Sequence, residues 1–197
     1  MNMKRTKSMY LRQVTVMLGL IILCMVLLGA GFFSLSYRHQ LEEIQTTLDR
    51  NAGFISSYAN AAITKGDSLS GEDFINYIYS AVRLTDTTVL VCNTKGQILC
   101  AAGVNLNEDL LNSSTIADLS VPSWAVNQLL NGKPYSGVTT FGQLLSSKCY
   151  LTSEVLSPLV QDRVSGELIS SGIPTGFLFV AADATSVLDF LENTEGL

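Results

Sequence analysis

The hydrophobic pattern of the chain begins with one long apolar run. Residues 14–36 carry no charged side chain, and four basic residues precede them: Lys4, Arg5, Lys7 and Arg12. At about 1.5 Å of rise per residue, a helix of this length crosses a bilayer core of roughly 30 Å. Basic residues favour the cytoplasmic side of a span. The pattern predicts a cytoplasmic tail over 1–13, a single transmembrane helix over 14–36 and an extracytoplasmic domain over 37–197 of a cell-membrane protein.

A cleaved secretory signal is the alternative interpretation of this run. Signal segments have a shorter apolar region, about 7–15 residues, followed by a small-residue cleavage site. Here Gly31 is followed by Phe32, Phe33 and more apolar chain rather than by a polar start. The residue order favours an uncleaved anchor.

Two amphipathic helices are predicted after the span. Over residues 37–63 the apolar positions recur every three or four residues, while acidic residues such as Asp49 point outward. These apolar positions are Leu41, Ile44, Leu48, Ala52, Ile55 and Ala59. No helix-breaking residue separates this helix from the span, so the two are expected to form one rod. Residues 71–84 form the second helix, with Phe74 and Ile78 turned inward.

The rest of the chain has the two-residue alternation and the turns of a β-sheet. Thr94-Lys95-Gly96 joins two strands into a hairpin, and the last strand is apolar on both faces, which places it centrally. The predicted strands cover 87–93, 97–102, 135–141, 148–156 and 176–182. Residues 103–119 are expected to be irregular, a short helix follows Ser120, 161–174 form a polar excursion, and a last helix covers 184–193.

This order of elements predicts an α+β fold. The expected architecture is a five-stranded antiparallel sheet with helices mainly on one face. Only residues 103–134 remain to cover the opposite face, so a small-molecule pocket is expected there.

Charge and composition narrow the classes of partner. The formal net charge is −5, but residues 13–197 hold eight Lys and Arg against seventeen Asp and Glu, a net of −9. An acidic domain argues against nucleic-acid binding. No phosphate-binding glycine loop, carboxylate pair or CxxC motif occurs, and the single histidine, His39, lies next to the bilayer. We therefore expect no catalytic residues, no metal and no cofactor.

Three cysteines lie outside the span: Cys92, Cys100 and Cys149. Buried free thiols are the first interpretation, and one disulfide between two of the three is the alternative.

The order of elements and several short motifs resemble a known family. The span and long helix, followed by Val89-Leu90-Val91-Cys92-Asn93-Thr94-Lys95-Gly96-Gln97-Ile98-Leu99, resemble the Cache or PAS-like extracytoplasmic sensor domains of bacterial transmembrane receptors, especially sensor histidine kinases. Asn131-Gly132-Lys133-Pro134 and the stretch from Pro174 to Val180 are similar to later parts of that pattern. The connection from Pro158 to Pro174 is longer than the family's usual turn.

The resemblance implies a sensing role in signal transduction, in a two-component system, and a homodimer built along the long helix. Such receptors continue into a second span and a signalling module, so any kinase activity would reside in a module absent from this chain. The residues leave open whether the chain is a truncated receptor or a standalone sensor. The alternative function is a membrane-tethered binding protein without signalling output.

Five residues are candidates for binding a small-molecule ligand. On the fourth strand, Tyr150 and Thr152 share a face that meets either the pocket or solvent, while Cys149, Leu151 and Val155 belong against the helices. Arg83 could either bind an acidic ligand or act as an ordinary cation at the carboxyl end of its helix. Trp124 and Tyr135 are either pocket aromatics or core residues.

Overall fold

A computed structural model describes residues 3–113, 118–163 and 165–185. The chain is α+β and divides into two units, Met1–Glu42 and Glu43–Leu197. The helices are α1 (Met3–Lys65), α2 (Glu72–Thr85), α3 (Glu108–Ser113) and α4 (Ser123–Leu130). The strands are β1 (Thr88–Asn93), β2 (Ile98–Ala102), β3 (Ser136–Thr139), β4 (Cys149–Leu156), β5 (Leu159–Gln161), β6 (Leu168–Ser170) and β7 (Gly176–Asp183).

The first unit is the amino-terminal part of α1. Among the described residues, α1 is the one helix long and apolar enough to cross a membrane. Apart from Phe33, its large apolar side chains between Val14 and Leu35 are exposed. The predicted limits of the span stay a prediction, but α1 is one helix from Met3 to Lys65, as the absence of a helix breaker indicated.

The second unit is built on a five-stranded antiparallel sheet. Its strand order is β2-β1-β7-β4-β3, and every neighbouring pair is antiparallel. The predicted central position of β7 is confirmed, and so is the β1–β2 hairpin. Phe177, Leu178, Phe179 and Val180 are all fully buried, which explains why this strand is apolar on both faces.

One face of the sheet, the helix face, is covered by α2 and the Glu43–Lys65 part of α1. Leu48, Ala52, Ile55 and Ala59 of α1 are buried there together with Leu178 and Val180 of β7, which confirms the predicted apolar stripe. Phe74, Ile78 and Val82 of α2 belong to the same cluster. The two buried alanines let α1 approach the strands closely.

The opposite face, the loop face, is covered by α4 and by the segments around Leu119 and Phe141. Ala125, Val126 and Leu129 of α4 pack there with Phe177 and Phe179. Coverage of this face by residues 103–134 is therefore confirmed, with 141–145 added to it.

Two local predictions differ from the structure. The connection between β4 and β7 contains the antiparallel ribbon β5–β6 rather than only a polar excursion, and the region after β2 contains the short helix α3. In the ribbon, Val160 faces Ile169 across the strands, and both are exposed. The predicted last helix lies almost wholly outside the described residues.

Candidate functional site

Two of the five candidate residues meet on the loop face. The rings of Trp124 in α4 and Tyr135 before β3 are 5.0 Å apart with an edge-on geometry. Trp124 also stands edge-on to Phe141, at 6.0 Å, and Phe141 contacts Phe179 of the central strand. Burial, and secondarily the charge of Tyr150, raises the pKa of Tyr135. Trp124 is 43% exposed, so this aromatic corner presents a ring to solvent above a buried core.

The prediction for β4 was wrong about which face meets the long helices. The alternation is as expected, but Cys149, Leu151 and Val155 pack on the loop face. Thr152 lies on the helix face and donates from Oγ1 to Oδ1 of Asp49 in α1, at 2.8 Å. Because both faces of this sheet are covered, alternation alone could not indicate which side the helices occupy.

Tyr150 and Arg83 are also separated from the aromatic corner. Tyr150 lies on the helix-face side of β4, and its hydroxyl is 3.0 Å from that of Ser136 on the edge strand β3. Arg83 is exposed in the last turn of α2, which packs on the helix face. Its position is that of a helix carboxyl-terminal cation. The five candidates therefore do not form one site.

The loop face contains a cavity where the sequence predicted a pocket, but it is small. Its volume is about 10 Å³, which is space for one water molecule rather than for an organic ligand. Its walls are apolar apart from Asn107. The lining residues are Leu90, Ile98, Ala101, Leu106, Asn107, Leu110, Leu119 and Leu144. To admit an organic ligand, the segments that carry Leu106, Leu110, Leu119 and Leu144 would have to move away from the sheet.

Two larger clefts lie beside α1 in the second unit. An apolar groove of about 230 Å³ between α1 and α2 exposes Phe54 (66%) and Leu84 (87%). A second cleft, about 270 Å³, lies at the α1–α2 turn and is lined by Asp67, Glu72 and Asp73 beside Tyr58. Sequence reasoning missed the groove, although Phe54 was a signal because it is a large apolar residue outside the buried stripe of α1.

A row of polar contacts ties α1 to β4 and the residues after it. Besides the Thr152–Asp49 bond, the N–H of Ser157 donates to Oδ1 of Asn60, at 2.9 Å, and the N–H of Leu159 donates to Oγ1 of Thr64, at 2.7 Å. We call this row the polar seam. Asp49 was predicted to point outward, and it is exposed, but it stands at the edge of the stripe and reaches the strand.

The repeats of helix and strand match along the polar seam. From Asp49 to Asn60 is eleven residues, about 16.5 Å of helix, and from Thr152 to Ser157 is five residues, also about 16.5 Å of strand. Polar groups on α1 therefore recur in step with partners on β4. No motif in the sequence marks this row, because its members come from two segments about a hundred residues apart.

The cysteines are free, in agreement with the first interpretation. Cys92 and Cys100 lie on opposite faces of the sheet. In the strand register, Cys149 of β4 lies opposite Asp183 of β7, and Cys92 of β1 lies opposite Phe177 of β7. Asp183 and Phe177 are six residues apart, so the two thiols are separated by about 20 Å along the strand direction. No disulfide joins any two of these three in this fold.

Comparison with known proteins gives a weak structural likeness and no family. No family model and no curated protein matches the sequence. The structure is similar to the ligand-binding domain of the Campylobacter jejuni chemoreceptor Tlp3, solved in complex with 4-methylisoleucine, with 13% identity and a TM-score of 0.37. The match covers 78% of this chain and 62% of that one. At these values the likeness assigns neither a family nor a function to the chain.

Proposed function

We propose that the chain is the extracytoplasmic sensing region of a bacterial transmembrane signalling receptor of the sensor histidine kinase type. In this proposal residues 14–36 cross the cell membrane, the amino terminus is cytoplasmic and the sheet lies outside. The proposal assigns no reaction to the chain itself.

The observation that supports this proposal is the double role of α1. The same helix contains the apolar run of 14–36 and the residues that pack on the sheet. Because the polar seam and the buried apolar stripe attach α1 to the sheet, a displacement of β4 would also displace α1. A helix that is held by the sheet and passes into a span is suited to transmit movement.

The ligand must bind two arrangements of the sheet with different affinities, because a ligand with equal affinity for both does not shift the equilibrium between them. In the structure the loop-face cavity has a volume of only about 10 Å³. We infer that a small-molecule ligand would bind an open arrangement in which α3 stands away from the sheet, and that Trp124 and Tyr135, on the same face, would contribute to its site. The movement that accompanies opening would then be transmitted through β4 and the polar seam to α1.

A membrane-tethered binding protein is the second candidate, and a different observation favours it. The β5–β6 ribbon exposes Val160, Leu168 and Ile169, and exposed apolar groups in one place suit a protein partner. Such a protein would need no movement of α1.

Orientation is tested first, by cysteine labelling of whole cells with a membrane-impermeant maleimide. In a C24S background, Glu167→Cys on the ribbon is expected to react in cells whose outer envelope is permeable. Lys7→Cys is the matched control and is expected to react only after lysis. The opposite result would place the sheet in the cytoplasm and overturn the sensing proposal.

The signalling role is tested with the full chain in detergent. A thermal-shift screen covers amino acids, organic acids, nucleobases and short peptides, because a ligand that binds only the folded state raises the melting temperature. We expect Trp124→Ala and Tyr135→Ala to reduce the shift and Arg83→Ala to leave it. A spin-label distance between Arg50→Cys and Lys133→Cys should then change with the ligand bound. A bound ligand with an unchanged distance would favour the tethered binding protein.

A further inference from the structure

The chain makes a left-handed turn after β3. Phe141, Gly142 and Gln143 have backbone φ angles of 48°, 66° and 69°. Glycine adopts this conformation freely, but in other residues Cβ crowds the following carbonyl oxygen, which costs free energy. Such residues persist where the contacts around them hold the backbone. Phe141 and Gln143 therefore each depend on contacts that keep them in place.

The two strained residues are held in different ways. The Phe141 ring is fully buried, 4.7 Å from the ring of Phe179 on the central strand, and its N–H donates to Oγ1 of Thr139, at 2.9 Å. Gln143 is exposed, so burial of its side chain does not impose the left-handed conformation. Its carbonyl oxygen instead accepts a 3.0 Å hydrogen bond from Nδ2 of Asn107. Phe141 thus anchors the turn to the sheet, whereas Gln143 depends on Asn107.

Asn107 also contacts α3 and the cavity of the loop face. It immediately precedes α3, and its Oδ1 accepts a 3.1 Å hydrogen bond from the N–H of Asp109 in the first turn of that helix. It is also the polar member of the cavity wall. One amide side chain therefore connects the start of α3, the wall of the cavity and the strained carbonyl of Gln143.

Residues 105–110, which we call the lid, lie against the segment that follows the turn. Leu106 of the lid is opposite Leu145 in an antiparallel bridge. The backbone N–H of Asn107 donates to the carbonyl oxygen of Leu144, at 3.0 Å. The lid is therefore attached to this segment through its backbone as well as through the Asn107 side chain.

Toward the sheet, the lid makes apolar contacts around a void. Its Leu106 and Leu110 line the cavity of about 10 Å³ together with residues of β1 and β2. Atoms beside a void have no contact partners on that side, so the attraction between the lid and the sheet is weaker there. Where the lid begins, the N–H of Asn105 donates to Oγ1 of Thr88 in β1, at 3.1 Å. The lid is thus tied to the sheet at its start and to the turn at Asn107.

We propose that Asn107 is a latch that closes the lid over the loop-face cavity, and that the left-handed turn opposes this closure. With the latch closed, Gln143 is held in its strained conformation. When the bond from Asn107 breaks, Gln143 relaxes to an ordinary backbone conformation while Phe141 stays anchored, and the lid is free to leave the sheet. One local opening then exposes both the lid and residues 143–146. That a ligand uses this opening rests on the proposed function, whereas the latch itself does not.

The test measures hydrogen exchange of the full chain in detergent, without ligand. After correction for intrinsic rates, the exchange of a protected amide reports the local opening that exposes it. Asn107→Asp keeps the oxygen that caps α3 but lacks the N–H that reaches Gln143, so it removes the latch alone. Gln143→Gly keeps the carbonyl that accepts the latch bond and removes the strain.

Each variant has a matched control outside the lid. Asn131→Asp removes an Nδ2 hydrogen bond of 2.8 Å to the carbonyl oxygen of Asn127, at the end of α4. Asp86→Gly replaces another residue with a positive φ angle, 51°, at the end of α2.

We expect Asn107→Asp to accelerate exchange of the lid and of residues 143–146 alike, by about two- to tenfold, the usual net contribution of one hydrogen bond. Gln143→Gly should slow exchange of both segments, because glycine has no penalty for the left-handed conformation. The two controls should leave both segments unchanged. Amides of β7 should exchange as in wild type in all four variants.

Faster exchange of the lid alone in Asn107→Asp would overturn the latch, and so would unchanged or faster exchange of the lid in Gln143→Gly. Equal acceleration in β7 would show that the substitution destabilises the whole second unit, which also overturns it. Because no ligand is present, the result does not depend on the sensing role. A latch confirmed here would stand even if the ligand screen gave no shift in melting temperature, so the two failures are distinguishable.

Discussion

The backbone N–H of Ser157 and the side-chain oxygen of Asn60 are 2.9 Å apart, which joins the residue after β4 to the carboxyl-terminal part of α1. Ser157 is 2% exposed, so water does not readily replace this acceptor. The bond is one of the three contacts of the polar seam. It makes the attachment of α1 to the sheet directional, whereas apolar packing alone would allow sliding.

Asn60→Ala is expected to destabilise the second unit by about 1–3 kcal/mol, because it leaves a buried N–H without its acceptor. Asn60→Asp keeps an oxygen at the same position and should cost less. Urea denaturation of the full chain in detergent measures both. Equal losses for the two variants would mean that the amide acts by packing rather than by accepting the bond.

Gly176 begins the central strand, where a side chain has no room. A Cβ there would stand 2.6 Å from the carbonyl oxygen of Cys92 on β1. Gly176→Ala must therefore push β1 and β7 apart, at a cost of about 1–3 kcal/mol or more. The melting temperature of the variant measures this loss.

Gly53→Ala is the matched control for Gly176→Ala. Gly53 lies in α1, and an added Cβ would meet nothing within 4 Å. Alanine in a helix interior stabilises by about 0.5–1 kcal/mol relative to glycine. If both substitutions destabilise alike, close approach of β1 and β7 is not what requires the glycine.

The three cysteines of the second unit should be unreactive in the folded protein. Burial raises the pKa of Cys92 to about 12 and that of Cys100 to about 11. The pKa of Cys149 is raised for the same reason. At pH 8 these thiols are almost wholly protonated, and the thiolate is the form that reacts.

Mass spectrometry after iodoacetamide treatment at pH 8 checks this prediction in a C24S background. Alkylation of the three cysteines is expected in denaturant and not without it. A peptide pair linked through Cys92 and Cys149 would contradict the fold, since the strand register holds these residues far apart.

The groove between α1 and α2 is the surface on which we expect two copies to associate. Phe54→Glu and Leu84→Glu change side chains that are 66% and 87% exposed, so they should leave the melting temperature nearly unchanged. They should lower the dimer fraction measured by light scattering in detergent. Val104→Glu, at a position 74% exposed and outside the groove, is the control. A dimer fraction equal in all variants would place the interface elsewhere.

The hydrophobic periodicities of the sequence were sufficient to predict the main helices and strands and the α+β fold class. The stripe from Leu48 to Ala59 has helical spacing, and the β1–β2 hairpin is marked by Asn93 to Gly96. Phe177 to Val180 are apolar without alternation, which placed β7 centrally. These features depend on local backbone geometry and on burial, and both are encoded by neighbours in sequence.

The positions of the site residues depended on tertiary structure. Only the fold identified Trp124 and Tyr135 as neighbours in space, and Thr152 turned out to face Asp49 rather than a ligand pocket. Strand alternation divides residues into two faces but does not say which face α1 covers, because that choice depends on how the whole sheet packs.

Charge, hydrophobic period and turn residues along the chain were enough to predict an α+β domain behind an apolar helix. The folded sheet was needed to show that α1 and β4 run in register, that Asp49 accepts a hydrogen bond from Thr152, and that the loop-face cavity is small. These contacts join segments that lie far apart along the chain. Their partners are selected by the packing of the complete sheet rather than by any local preference of the chain.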